Sequence, residues 1–260
     1  MRIPLHHVDA FAERRFTGNP AAVCLLPSWL DDATLQAIAA QNNLSETAFV
    51  VTHTGEPHAL RWFTPTAEVE LCGHATMAAA FVLRARGEAG DVVHFTTRHA
   101  GILVVRAHGR ELEIDLPARP AEAIAPLDGL DRALGVPVLS TWRARKCMAV
   151  LADEDAVRRA TPDFAFIAAL PGDGLVITAR GHEVDFVSRY FAPHIGVPED
   201  PVTGSAHCTL VPHWAAQLGK TELRARQLSQ RGGALRCVAA GDRVRLAGTC
   251  MPYLVGEIDV

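Results

Sequence analysis

The chain contains an internal repeat, and this repeat limits the folds that are open to it. A glycine loop that leads into an apolar helix occurs twice, once at Gly73 and once at Gly204. Gly101 follows 28 residues after Gly73, and Gly233 follows 29 residues after Gly204. The spacing from Gly101 to Gly109 equals the spacing from Gly233 to Gly241. A register that is kept over three landmarks argues for a duplicated domain.

Both halves have the pattern of a mixed α/β domain. Strand-like segments surround one strongly apolar helix in each half, predicted over 75–86 and over 204–218. The proline-rich stretch 117–126 is the best linker candidate. We therefore predict an N-terminal domain over 1–117 and a C-terminal domain over 118–260. Duplication also predicts a pseudo-twofold axis, with the two glycine loops facing each other across a cleft.

The composition excludes several classes of protein. With 260 residues, 49% of them hydrophobic, the chain has the composition of a compact globular protein. A net charge of −4 without a basic run argues against nucleic-acid binding. No apolar stretch is long enough to span a membrane, and the first residues lack the apolar core of a signal peptide. Six scattered cysteines indicate a reduced, cytoplasmic protein.

Neither a metal nor an organic cofactor is predicted. The histidines and cysteines form no ligand pattern with metal-type spacing, and no dinucleotide fingerprint follows a strand.

The two helix starts predict an anion site. A helix N-terminus offers unpaired N–H groups and the positive end of the helix dipole, and glycine lets a ligand approach the backbone. We predict that Gly73, His74, Gly204 and Ser205 bind the carboxylate of a small substrate. An ordinary capped helix explains the local sequence less economically, because Asp200 adds a second negative group that a cap does not need.

Three side chains are candidates for general acid/base chemistry: Glu46, His74 and Asp200. Each has a structural explanation as well. On the local sequence alone, Glu46 is better explained as a solvated carboxylate in a polar loop. His74 fits a hydrogen-bonding residue at a helix start, and Asp200 fits a turn former before Pro201.

Four motifs together resemble the phenazine-biosynthesis isomerase-like family. They are spread in order over the whole chain: Phe16-x-Gly18-Asn19-Pro20-Ala21, Asn43-x-Ser45-Glu46-Thr47, Cys72-Gly73-His74-Ala75-Thr76 and Glu199-Asp200-Pro201-x-Thr203-Gly204-Ser205-Ala206. The resemblance implies a diaminopimelate-epimerase-like fold, in which each of two similar domains is a curved, barrel-like sheet around a central helix. It also implies cofactor-independent proton shifts, a homodimer, Glu46 as acid/base, and His74 and Asp200 as its partners.

Two alternatives stay open. Thiol-based epimerases and racemases of the same fold use one cysteine at each helix start, and Cys72 stands at the first start. The second start offers Pro201, Val202 and Thr203 instead, which argues against a two-thiol mechanism. A non-catalytic protein that binds small carboxylates would keep the glycine loops, but it has no use for acidic groups beside its anion site.

Overall fold

The structure is a computed structural model of the chain, and it describes residues 1–53 and 57–260. The chain divides into two compact units. The first consists of Met1–Asp115 together with Ala247–Val260, and the second of Leu116–Leu246. Within the described residues, no helix combines the length and the apolar character that crossing a membrane requires.

Among the described residues, the first unit contains the strands and helices up to β8, and it also contains β17 from Ala247 onward. They are β1 (Arg2–Ala10), β2 (Asn19–Leu26), α1 (Asp32–Asn42), β3 (Glu46–Val51), β4 (His58–Phe63), β5 (Glu68–Val69), α2 (Gly73–Ala85), β6 (Val92–Thr97), β7 (Ile102–His108), β8 (Glu111–Pro117) and, at the end of the chain, β17 (Arg243–Asp259).

The elements of the second unit, in chain order, are β9 (Glu122–Ile124), α3 (Leu130–Leu134), β10 (Val138–Arg143), β11 (Cys147–Leu151), α4 (Glu154–Arg159), α5 (Phe164–Ala168), β12 (Leu175–Arg180), β13 (Phe186–Ala192), a 3₁₀ turn (Pro193–Ile195), β14 (Val197–Asp200), α6 (Gly204–Leu218), β15 (Glu222–Gln227) and β16 (Gly233–Ala240).

The strands of the first unit form a closed series. β17, β1 and β2 pair antiparallel, β2 and β3 run parallel, and β3 and β4 are antiparallel. β4 then runs parallel to β6, which continues antiparallel through β7 to β8. β8 also pairs with β17, so the described strands of this unit close into an eight-stranded barrel.

The second unit repeats these orientations strand by strand. β10 and β11 are antiparallel, β11 and β12 parallel, and β12 and β13 antiparallel. β13 runs parallel to β15, which pairs antiparallel with β16, while the short β14 borders β13 as β5 borders β4. The predicted fold class, two similar mixed α/β domains, is therefore confirmed.

The two apolar helices are buried as predicted. α2 packs against β1, β2, β3 and β7, and all of its residues from Gly73 to Ala80, together with Val82 and Leu83, are buried. It ends in a Schellman turn at Gly87, where the N–H of Glu88 donates to the Leu83 carbonyl at 2.9 Å. α6 has the predicted bounds and packs against β15 and β16. Each helix therefore lies against the sheet of its own unit.

Pro212 lies inside α6 without ending it. Proline lacks the N–H that would bond to the carbonyl four residues earlier, here that of Cys208. The N–H of Arg119, in the segment after β8, donates to this carbonyl instead, at 2.9 Å. The segment after β8 thus satisfies a buried backbone group of the helix.

Four details differ from the sequence prediction. Glu46 is the first residue of strand β3 and does not lie in a loop, and Asp200 is the last residue of β14. The predicted linker 117–126 contains β9, which pairs with β10, and belongs to the second unit. The predicted boundary at 117 lies close to the division at Asp115, but Ala247–Val260 groups with the first unit, because it pairs with β1.

Candidate active site

Glu46 and His74 lie side by side in the first unit. The distance from Glu46 Oε2 to His74 Nε2 is 3.3 Å, and the two side chains are 19% and 5% exposed. Strand pairing places Glu46, since the parallel register sets it beside Ala21 of β2. The start of α2 places His74, the second residue of that helix. The structure thus brings together two of the three predicted acid/base residues.

His74 is neutral at neutral pH. Burial lowers the pKa of His74 to about 3, and a hydrogen bond with the Pro20 carbonyl opposes this shift only in part. The contact with Glu46 is therefore not a pair of opposite full charges. A neutral imidazole carries one N–H and one lone pair, so His74 can donate at one ring nitrogen and accept at the other.

Asn19 and Cys72 complete the surroundings of His74. The amide nitrogen of Asn19 lies 3.3 Å from His74 Nδ1, and the thiol of Cys72 lies 3.4 Å from the same nitrogen. Gly18 allows the turn that precedes Asn19: its φ is +77°, and a Cβ there would lie 2.4 Å from the Ala10 carbonyl oxygen. Sequence reasoning cited Asn19 only within a motif and missed its contact with His74.

The same cluster offers three types of metal ligand. One atom each from Glu46, Cys72 and His74 lies within 4.8 Å of the others. Carboxylate, thiolate and imidazole are ligands that zinc accepts. The spacing along the chain did not indicate this cluster, because tertiary contact creates it. The absence of a bound metal stays a prediction from the sequence.

Asp200 lies in the second unit, where a hydrogen-bond network fixes it. The residue is 9% exposed, and Thr203 Oγ1 donates to Asp200 Oδ2 at 2.5 Å. The side chain of Gln227, at the end of β15, accepts from the Thr203 N–H and donates to the Asp200 carbonyl, both at 2.8 Å. This network holds the turn before α6, and Gln227 is a residue that the sequence did not single out.

The starts of α2 and α6 differ from those of α1, α4 and α5, while the short α3 also lacks a side-chain cap. Aspartate side chains cap α1, α4 and α5 by accepting backbone N–H bonds. Cys72 and Thr203, the residues before α2 and α6, make no such side-chain bond. Thr203 directs its hydroxyl to Asp200 instead. The N–H groups at Gly73–His74 and Gly204–Ser205 therefore have no competing side-chain cap, as an anion site requires.

The cysteines do not provide a second thiol at a helix start. Cys208 is inside α6, where its Sγ lies 3.7 Å from the Gly204 carbonyl oxygen, and burial raises the pKa of its thiol to about 11. The other four, Cys24, Cys147, Cys237 and Cys250, are buried in strands, as the sequence predicted. A cysteine, Cys72, therefore precedes α2, whereas the corresponding residue before α6 is Thr203.

A mixed α/β fold built twice, with a carboxylate and an imidazole in contact at one helix start without a side-chain cap, defines the epimerase-like fold class. The sequence profile of the phenazine biosynthesis-like proteins (PhzC-PhzF) matches residues 8–256 of this chain. An "uncharacterized isomerase" of Pseudomonas aeruginosa is 49% identical, with 99% of each chain covered. A rat phenazine biosynthesis-like domain-containing protein is 38% identical, with the same coverage.

Solved structures agree with this result. The crystal structure of a phenazine biosynthesis protein of the PhzF family from Enterococcus faecalis is 45% identical, covers 100% of both chains and has a TM-score of 0.96. A hydroxyproline epimerase from Agrobacterium vitis shares the fold alone, with 11% identity, a TM-score of 0.64 and coverage of 99% of this chain and 92% of its own. The chain belongs to the phenazine biosynthesis-like family, and the resemblance of its four motifs is confirmed.

Proposed function

We propose that this protein is a cofactor-independent isomerase that moves a proton on a small carboxylic acid. Glu46 takes the proton from carbon and returns one elsewhere, since a carboxylate can act as base and then as acid. The observation that carries this proposal is the 3.3 Å contact between Glu46 Oε2 and Nε2 of a neutral His74, at a helix start without a side-chain cap.

The two helix starts bind the substrate in this proposal. Backbone N–H groups at Gly73, His74, Gly204 and Ser205 receive the carboxylate, or the enolate that forms when a proton leaves its α-carbon. His74 and Asp200 position the substrate or relay the proton. The two units then act on one substrate in a cleft. In support, the hydroxyproline epimerase of the same fold was solved with trans-4-hydroxy-L-proline, a small carboxylic acid.

The test is deuterium exchange from solvent into a panel of small unsaturated and hydroxylated carboxylic acids. Glu46→Gln keeps size and polarity but cannot accept the proton, so we expect turnover to fall by about 10²–10⁴-fold. Glu122→Gln, at an exposed position of β9, is the matched control and should exchange like the wild type. Wild-type exchange in Glu46→Gln would remove Glu46 as the base.

A second candidate is the thiol-based epimerase, which the 3.4 Å contact between Cys72 Sγ and His74 Nδ1 favours. The same exchange assay separates the two mechanisms, because that mechanism depends on Cys72 and not on Glu46. A non-catalytic binder would show no exchange with the wild-type protein on any acid that it binds.

A further inference from the structure

One of the two lysines of the chain is buried in the second unit. Lys146 is 6% exposed, and it forms no ion pair with any carboxylate in the described part of the chain. Lys220, the other lysine, lies at the surface and pairs with Asp185 at 2.5 Å. A buried cation is costly without a counter-charge, so the surroundings of Lys146 need an explanation.

Lys146 lies beside the Asp200 network. Its Nζ is 5.2 Å from the centre of the Tyr190 ring, and Tyr190 of β13 is directly opposite Asp200 of β14. Side chains of directly opposed residues project on the same face of a sheet. The ammonium therefore lies next to the turn that leads into α6, and Cys208 of that helix is among the groups close enough to influence its charge.

The strand register relates Lys146 to the acid/base site of the first unit. Ala22 of β2 and Cys147 of β11 each belong to an apolar cluster that packs one face of their sheet against helices, α1 in the first unit and α3 and α4 in the second. The residue before each, Ala21 or Lys146, points to the opposite face. Lys146 is thus the structural counterpart of Ala21, which is paired with Glu46.

The counterpart of Glu46 in the second unit is a glycine. The register of β11 and β12 begins with Cys147 opposite Leu175, and the Cys147 N–H donates to the Gly174 carbonyl at 3.0 Å, so Gly174 and Lys146 are the residues that immediately precede these two strands. Gly174 has a φ of +98°, and a Cβ there would lie 2.3 Å from the Phe191 carbonyl oxygen. No carboxylate side chain can take this place. The second unit therefore has no carboxylate at the place of Glu46 and carries a cation on the neighbouring strand, at the place of Ala21.

The charges around Lys146 leave it without full compensation. Burial lowers the pKa of Lys146 most, Asp173 and Cys208 act against this effect, and Arg119 and Arg145 lower the pKa further. The Tyr190 ring gives a cation–π contact but no negative charge. An anion that enters beside Tyr190 would supply the missing counter-charge.

We propose that Lys146 binds a second carboxylate of the substrate, so that the substrate of this enzyme is a small dicarboxylic acid. This inference rests on the proposed function, in which the helix starts bind the first carboxylate. Lys146 touches the substrate in this arrangement but takes no part in the proton transfer, and it determines specificity.

Binding of succinate and of butyrate, which have four carbons and two or one carboxylates, tests the proposal by calorimetry at pH 7. We expect the wild type to bind succinate more tightly, and Lys146→Met to lose at least about tenfold in succinate affinity with little change for butyrate, the scale of one charge-assisted hydrogen bond. Lys220→Met is the matched control and should bind both as the wild type does. Equal succinate affinity in Lys146→Met overturns the proposal.

A measurement on the unmutated protein covers the case in which Lys146→Met fails to fold. With only two lysines, ¹³Cε-lysine labelling gives two resolvable NMR signals. Succinate should shift the Lys146 signal and leave that of Lys220 in place, and no shift of the Lys146 signal contradicts the proposal.

The Glu46→Gln variant separates this inference from the proposed function. If that variant still exchanges deuterium, the proposed base is wrong, whereas the loss of succinate affinity on adding Lys146→Met to Glu46→Gln tests Lys146 independently of the base.

Discussion

His74 and His207 are buried imidazoles whose protonation depends on the fold. Burial lowers the pKa of His74 to about 3 and that of His207 to about 4. Each titrates near 6.5 in the unfolded chain. Above about pH 7 both states are neutral and these groups add no pH dependence. As the pH falls through 6.5, the unfolded chain binds protons that the folded chain does not, so the free energy of unfolding decreases.

We expect replacement of either residue by glutamine to reduce the proton uptake on unfolding by about one proton near pH 5.5. Denaturant titrations at pH 8, 6.5 and 5.5 measure this uptake as the slope of the free energy of unfolding against pH. This pH range, from 8 to 5.5, lies above the pH values at which carboxylates with lowered pKa values take up protons. His99→Gln, at an exposed position, controls for the loss of a histidine. An unchanged slope in both buried-site variants would show that these imidazoles are charged in the folded protein.

Cys72 decides between the two proton-transfer mechanisms. Its thiol touches His74, but α6 begins after Thr203 and offers no second thiol at the matching place. We expect Cys72→Ser to keep its exchange rate within about tenfold of the wild type, because Glu46 remains to transfer the proton. Cys208→Ser serves as the control for removal of a buried thiol. Complete loss of exchange in Cys72→Ser alone would support the thiol-based epimerase.

At the scale of the element, the starts of α2 and α6 carry the binding prediction. Gly204 is the first residue of α6, and a ligand reaches its N–H only if the backbone is open to close approach. We expect Gly204→Val to weaken binding of sulfate or succinate by at least about tenfold, as measured by calorimetry. Gly90→Val is the matched control, because a Cβ at Gly90 meets open space. Undiminished affinity in Gly204→Val would place the anion elsewhere.

The elements that the sequence predicted best are those with local signals. α6 has a glycine at its start, an apolar body and Gly219 in the left-handed conformation at its end, so both bounds could be predicted. β3 could not, because Ser45, Glu46 and Thr47 are polar and only pairing with β2 extends the strand to Glu46. β9 is hidden within a proline-rich stretch, and its pairing with β10 depends on a distant segment.

In the candidate site too, residues in continuous motifs could be predicted, whereas contacts between distant segments could not. Glu46, His74 and Asp200 were named from motifs that lie in continuous stretches. The contact of Asn19 with His74 joins residues from different elements, and the position of Lys146 depends on strand register. These contacts carry no signal in a single sequence without an alignment.

At the scale of the whole molecule, the least predictable feature is the return of the chain end to the first unit. β1 pairs with β2 on one side and with β17 on the other, from Arg2 opposite Asp259 to Ala10 opposite Cys250. The repeat in the sequence assigned this final segment to the second domain. In a fragment of residues 1–117, β1 would therefore pair with β2 on one side only, its other edge would be exposed, and the barrel would stay open.

The pairing of the C-terminal strand with β1 predicts which fragment of the chain folds on its own. The N–H of Val260 donates to the Met1 carbonyl at 2.8 Å, so a short glycine–serine linker can join residue 260 to residue 1. We expect a permuted chain of 247–260, linker and 1–115 to unfold cooperatively in denaturant, whereas residues 1–117 alone should not, because they lack the strand that covers β1. A permuted chain with a scrambled 247–260 segment is the control and should behave like the fragment. Equal cooperativity of all three chains would mean that the first unit does not depend on the C-terminal strand.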